Sequence, residues 1–123
     1  MEKSDKTFNH VDYLWDDAHA KTLGDDQVAL FLYRSNILGA DLRITNYGGG
    51  NTSCKTIEKD PLTNEEVEIM WVKGSGGDIG TLTRAGIAAL YTDRLRNLKN
   101  VYGGLEDEDR MVGLFNHCIY DLD

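Results

Sequence analysis

The chain has 123 residues, 41% of them apolar and 28% charged, with a single proline and two cysteines. That length suits one domain, or part of one, with a real core. A formal net charge of −8 argues against a binder of DNA or RNA backbone, and no apolar run of about 18 residues is present to cross a membrane.

Residues 1–8 read as a polar leader; Met1-Glu2-Lys3-Ser4-Asp5-Lys6 lacks the apolar centre of a signal peptide, so a cytoplasmic location is expected. Val11, Leu14, Trp15 and Ala18 then fall at helical spacing, and Gly24 offers a stop. A second helix should start at Asp25 or Asp26, either of which can cap it. Its inner stripe would be Val28, Phe31, Leu32, Ser35 and Leu38, and Gly39 would take the left-handed position after it. Residues 42–46 are short and β-like. Residues 52–58 and 67–73 read as two strands joined by a polar connection that contains Pro61 and Asn64. Val67, Ile69 and Trp71 alternate with Glu68, Met70 and Val72, which suits one buried face. Thr83 can cap a further helix whose face is Ile87, Leu90, Tyr91, Leu95 and Leu98, ending before Gly103. A last helix from about Asp107 would bury Met111, Leu114, Phe115 and Cys118. Cys54 and Cys118 are read as reduced, partly buried thiols.

Two glycine segments carry the chemistry. Tyr47-Gly48-Gly49-Gly50-Asn51-Thr52-Ser53 precedes the first strand, and Lys73-Gly74-Ser75-Gly76-Gly77-Asp78 follows the second. A hairpin between them would bring both turns to one edge of the sheet. Such turns can gather backbone N–H groups and short hydroxyls around one small anion, and a phosphate-bearing metabolite is the natural guest. Neither segment satisfies the Walker pattern. The second is one residue out of register for a dinucleotide fingerprint, with no acidic residue ending a matching second strand.

The pair resembles the sugar-phosphate site of the class II aldolase/adducin family, in Gly49-Gly50-Asn51-Thr52-Ser53 and Gly74-Ser75-Gly76. Residues 47–55 and 72–82 are most similar to the rhamnulose-1-phosphate aldolase part of bifunctional aldolase/dehydrogenase proteins, and the resemblance spans roughly residues 8–123. It implies an α/β fold, in full an α/β/α layered domain with a mainly antiparallel central sheet, here an amino-terminal portion cut short. It also implies that Asn51 and Ser75 bond the substrate phosphate through their side chains. The N–H groups of Gly50, Thr52 and Gly76 would complete the cradle, with Ser53 and Lys73 as further candidates. Asn51 could instead cap its own turn, and residues 48–50 could be no more than a tight bend. Asp78 stands near the place of the family's acid/base carboxylate, or else bonds N–H groups of its own loop.

The implied reaction is reversible cleavage of L-rhamnulose 1-phosphate, or a similar phosphorylated ketose, to dihydroxyacetone phosphate and lactaldehyde. It uses a divalent metal, usually zinc, held by histidines that include a His-x-His pair. This chain has only His10, His19 and His117, with no such pair. His10 and His19 would stand about 13 Å apart along one helix and cannot share an ion. The metal ligands are therefore expected outside this chain, which alone should be nearly inactive, and NAD would be used only by an appended dehydrogenase domain. The parent would be a homotetramer. The rival expectations are an adducin-like, non-catalytic interaction module and a sugar-phosphate epimerase of the same superfamily.

Overall fold

A computed structural model describes residues 12–74 and 76–120. The chain divides into two units with boundaries inside the strands. One is the described part of Met1–Cys54 with Val72–Ile87; the other is Lys55–Trp71 with the described part of Ala88–Asp123.

In the first unit, helix α1 (Asp17–Thr22) is shorter than the spacing predicts. Asp16 fixes its start: the carboxylate accepts from Ala18 N at 3.0 Å, and the Asp16 N–H donates to the Tyr33 hydroxyl at 2.9 Å. Leu14 therefore precedes the helix, and Val11 lies outside the described residues. Helix α2 (Gln27–Ala40) starts as expected, with Asp26 accepting from Val28 N and Ala29 N. Val28, Phe31 and Ser35 are buried, but Leu38 is 43% exposed, and the fourth buried position is Gly39. Gly39 is helical and not a left-handed terminus. It is small because Gly80 lies against it: a Cβ on Gly39 would stand 2.2 Å from the Gly80 nitrogen.

Residues 42–46 form turns and no strand. The Asp41 carboxylate accepts from the backbone and side chain of Arg43, and its carbonyl accepts from Ile44 N and Thr45 N. A short carboxylate bonding its own following backbone competes with strand pairing.

The hairpin matches its prediction to within a residue: β1 is Ser53–Lys59 and β2 is Glu66–Lys73. Its connection closes through Asp60 N to Glu65 O and Asn64 N to Asp60 O, both 2.8 Å, with Asn64 at φ +60°. The predicted helix after Thr83 is replaced. Thr83 makes no side-chain cap and precedes one 3-10 turn (Arg84–Gly86). The chain then enters β3 (Ile87–Tyr91), and only afterwards α3 (Thr92–Val101). The sheet is antiparallel in the order β1-β2-β3, so β3 satisfies backbone groups on the second edge of β2 that a helix would leave unpaired.

In the second unit the core is Ile69, Ala89 and Tyr91, packed by Val67, Trp71 and Tyr120. Tyr120 meets Tyr91 edge-on at 5.4 Å and Arg94 covers the Tyr91 ring at 4.2 Å. A 3-10 turn (Leu105–Asp107) leads into α4 (Glu108–Leu114), and another (Phe115–Cys118) follows it. Cys118 is buried as expected, whereas Phe115 is half exposed. No described helix is long and apolar enough to cross a membrane.

Candidate functional site

Both glycine turns fall in the first unit, and the hairpin brings them side by side. The Lys73 N–H donates to the Thr52 carbonyl at 3.1 Å, so the entry to β1 and the exit from β2 are paired. One residue further, Gly74 N donates to the Gly86 carbonyl at 2.8 Å. The first turn closes on itself through Gly49 N to Asn46 O at 3.2 Å. Gly50 sits at φ +98°, and a Cβ there would stand 3.0 Å from the Ile79 side chain. Glycine therefore serves Gly50 twice, in its left-handed backbone and in its contact with the residue that follows the second turn.

Helix α2 bonds the end of the first turn and the segment that follows the second. The Ser35 hydroxyl donates to the Phe31 carbonyl at 2.8 Å and lies 2.8 Å from the Thr52 hydroxyl. A carbonyl only accepts, so the single Ser35 proton is used there and Thr52 is the donor between the two hydroxyls. On either side of Ser35, Arg34 donates to the Ser53 carbonyl at 2.9 Å, and the Asn36 amide donates to the carbonyls of Ile79 and Leu82, each at 3.1 Å. These three residues escape a reading by periodicity. Ser35 alone leaves a trace, as the one polar side chain in an apolar stripe.

Among the described residues, nothing bonds the Asn51 side chain, which is exposed at the mouth of the first turn. Ser75 lies outside the described residues. The Thr52 hydroxyl is turned to Ser35, so of the Thr52 donors the backbone N–H is the candidate for an anion. Ser53 is exposed at the start of β1, and its carbonyl is engaged by Arg34. Lys73 donates its ammonium to the Gly74 carbonyl at 3.0 Å, which places a positive charge beside the second turn. Gly76 is exposed at φ +84°. Asp78 caps the 3-10 turn Ile79–Thr81, accepting from Gly80 N at 3.3 Å. Cys54 follows Ser53; burial raises its thiol above the ordinary 9.0 while the Arg34 charge opposes that, so it stays protonated at neutral pH. Both cysteines are unpaired.

Among the described residues, no group of three or more His, Cys, Asp or Glu could hold a metal ion. The donors here do not fit the divalent ion that the resemblance implies. His19 packs on the Tyr33 ring at 4.5 Å, His117 is exposed and gives its carbonyl to Arg94, and His10 lies outside the described residues.

No family model matches the chain. It is 40% identical over 111 residues to an uncharacterized oxidoreductase, YuxG, of Bacillus subtilis (strain 168), an alignment over 90% of this chain and 16% of that protein. It is also similar to a solved structure, the N-terminal class II aldolase domain of a conserved protein from Thermoplasma acidophilum. That match has a TM-score of 0.60 and 29% sequence identity, covering 79% of this chain and 44% of the other. The chain thus spans a small part of the curated relative and under half of the solved domain. Within that span its fold is the class II aldolase fold.

Proposed function

We propose that the chain supplies the phosphate-binding half of the site in a class II sugar-phosphate aldolase. The observation that carries this reading is the pairing of Lys73 N with Thr52 O, which sets two glycine turns next to each other. In this reading the N–H groups of Gly50, Thr52 and Gly76, the Asn51 amide and the Lys73 ammonium receive the phosphate beside that bond. Three N–H groups and a side-chain amide suit the oxygens of a phosphate monoester, and charge-assisted bonds of this kind contribute about 1.5–3 kcal/mol each. Ser75 would add its hydroxyl. The substrate is a phosphorylated ketose, L-rhamnulose 1-phosphate by resemblance, and the product that keeps this phosphate is dihydroxyacetone phosphate. Holding the phosphate fixes the reacting carbon, and positioning of that kind can be a large part of catalysis. In this reading the divalent ion would take its ligands from outside this chain. The parent is cytoplasmic and tetrameric in this reading.

Calorimetric titration of the chain with dihydroxyacetone phosphate tests it, with unphosphorylated dihydroxyacetone and Asn51→Ala as controls. Saturable heat with the phosphate ester, lost in both controls, is the expected outcome. Equal binding of both ligands, or no binding at all, would leave the adducin-like interaction module as the better reading. An epimerase would share the cradle and is separated by its product.

A further inference from the structure

We propose that the consecutive residues Arg34, Ser35 and Asn36 are positioning residues that set the spacing of the two glycine turns; the inference rests on the phosphate reading above. Successive helical residues project about 100° apart, so three in a row seldom serve one purpose. Here each one reaches a different point on the first turn or on the segment just after the second. Arg34 holds the carbonyl of Ser53 and Ser35 the hydroxyl of Thr52, both at the end of the first turn. Asn36 holds Ile79 and Leu82 through their carbonyls, just beyond the second.

The need for such a clamp follows from the composition of the turns. Residues 48–50 are glycine, and Gly74, Gly76 and Gly77 make up half of the second turn. Glycine backbones have more accessible conformations than any other, so these segments do not hold a cradle by themselves. A two-turn anion site works only if the donors of one loop stay in register with those of the other. One stiff helix bonded to the end of the first turn and to the segment that leaves the second supplies that register. Ser35 is fully buried, so water does not compete for its bond to Thr52. The same helix meets the 3-10 turn that follows the second glycine turn, where Gly39 lies on Gly80, and this fixes the height at which Asn36 engages that segment.

The test uses Ser35→Ala, Thr52→Val and Asn36→Leu in the full chain, with two readouts. The first is amide exchange by NMR at Gly49, Gly80 and Leu82, whose N–H groups are bonded within the turns. The second is the Kd for dihydroxyacetone phosphate. Exchange should quicken at Gly49 in Ser35→Ala and at Gly80 and Leu82 in Asn36→Leu, while α2 stays protected. Each variant should bind about tenfold more weakly. Ser35→Ala and Thr52→Val remove the same bond, so the double variant should be no weaker than either, and Thr52→Ser should recover most of what Thr52→Val loses. Folded variants with unchanged Kd and unchanged turn exchange would overturn the clamp. If the unaltered chain binds no dihydroxyacetone phosphate, the phosphate reading fails. The clamp is then decided by exchange alone: faster exchange at those amides sustains it, and unaltered exchange overturns it.

Discussion

Gly39 and Gly80 are 41 positions apart, and nothing in the local pattern of either says that they touch. The helical stripe of α2 leaves room for a small residue at 39 but gives no reason for it, because the reason is the backbone of another segment. A methyl group at Gly39 has backbone and not a movable side chain in its way. Gly39→Ala should therefore lower stability by about 3 kcal/mol in urea denaturation; a loss under about 0.5 kcal/mol, the scale of a surface change, would mean that the two backbones do not meet. Asp26 is the opposite case, a residue whose role the sequence states plainly. Its carboxyl is held below the ordinary 3.8 chiefly by the Ala29 N–H, against some burial, with help from Arg84. A depressed carboxylate stabilises the fold above its unfolded value and loses that contribution as pH falls through the folded one. Asp26→Ala should cost about 1 kcal/mol at neutral pH. The gap to the unaltered chain should close on acidification below 3.8; a gap that persists in acid would mean that the charge is not what matters. Asn51 and Thr52 divide the first turn between them. Asn51→Ala should leave the melting temperature unchanged and abolish phosphate binding, a pairing that calorimetry and thermal melting check together.

The elements that sequence reasoning placed well are those whose signal is local. The hairpin has alternation, a polar connection and glycines at both ends, and α2 has its aspartate cap. The elements it misplaced are set by partners distant in the chain. Residues 87–91, Ile-Ala-Ala-Leu-Tyr, fit a helical face as well as a strand, and Leu95 and Leu98 continue the same face. Pairing beside β2 decides between them, since β2 would otherwise leave backbone groups unsatisfied inside a packed layer. The turn at residues 42–46 fails as a strand for a local reason that was available, the Asp41 side chain bonding Arg43. A peptide of residues 84–101 has no β2 beside it. In a helix-promoting cosolvent its Hα shifts should be helical through 87–91. Extended shifts there, with helix only from Thr92 onward, would show that the strand is intrinsic to the segment and not imposed by the sheet.

For the whole molecule, the proposed anion site has to work locally: the chain carries a net charge of −8, and the Lys73 ammonium beside the second turn is the positive charge that the proposal draws on. The glycine turns were legible because they are contiguous and unusual in composition. The side chains that hold them were not, because Arg34, Ser35 and Asn36 lie on a helix read only for its apolar stripe. With no group of three metal-ligating residues among those described, the chain alone should bind dihydroxyacetone phosphate without condensing it with lactaldehyde, even with added zinc; condensation by the purified chain would place metal ligands within it. The central claim is that two glycine turns form one phosphate cradle, and amide shift mapping by NMR during titration with dihydroxyacetone phosphate tests it most directly. The account predicts saturable shifts that move together at Gly50, Thr52 and Gly76 with a single Kd, absent with dihydroxyacetone. Shifts confined to one turn, or different Kd values for the two, would contradict it.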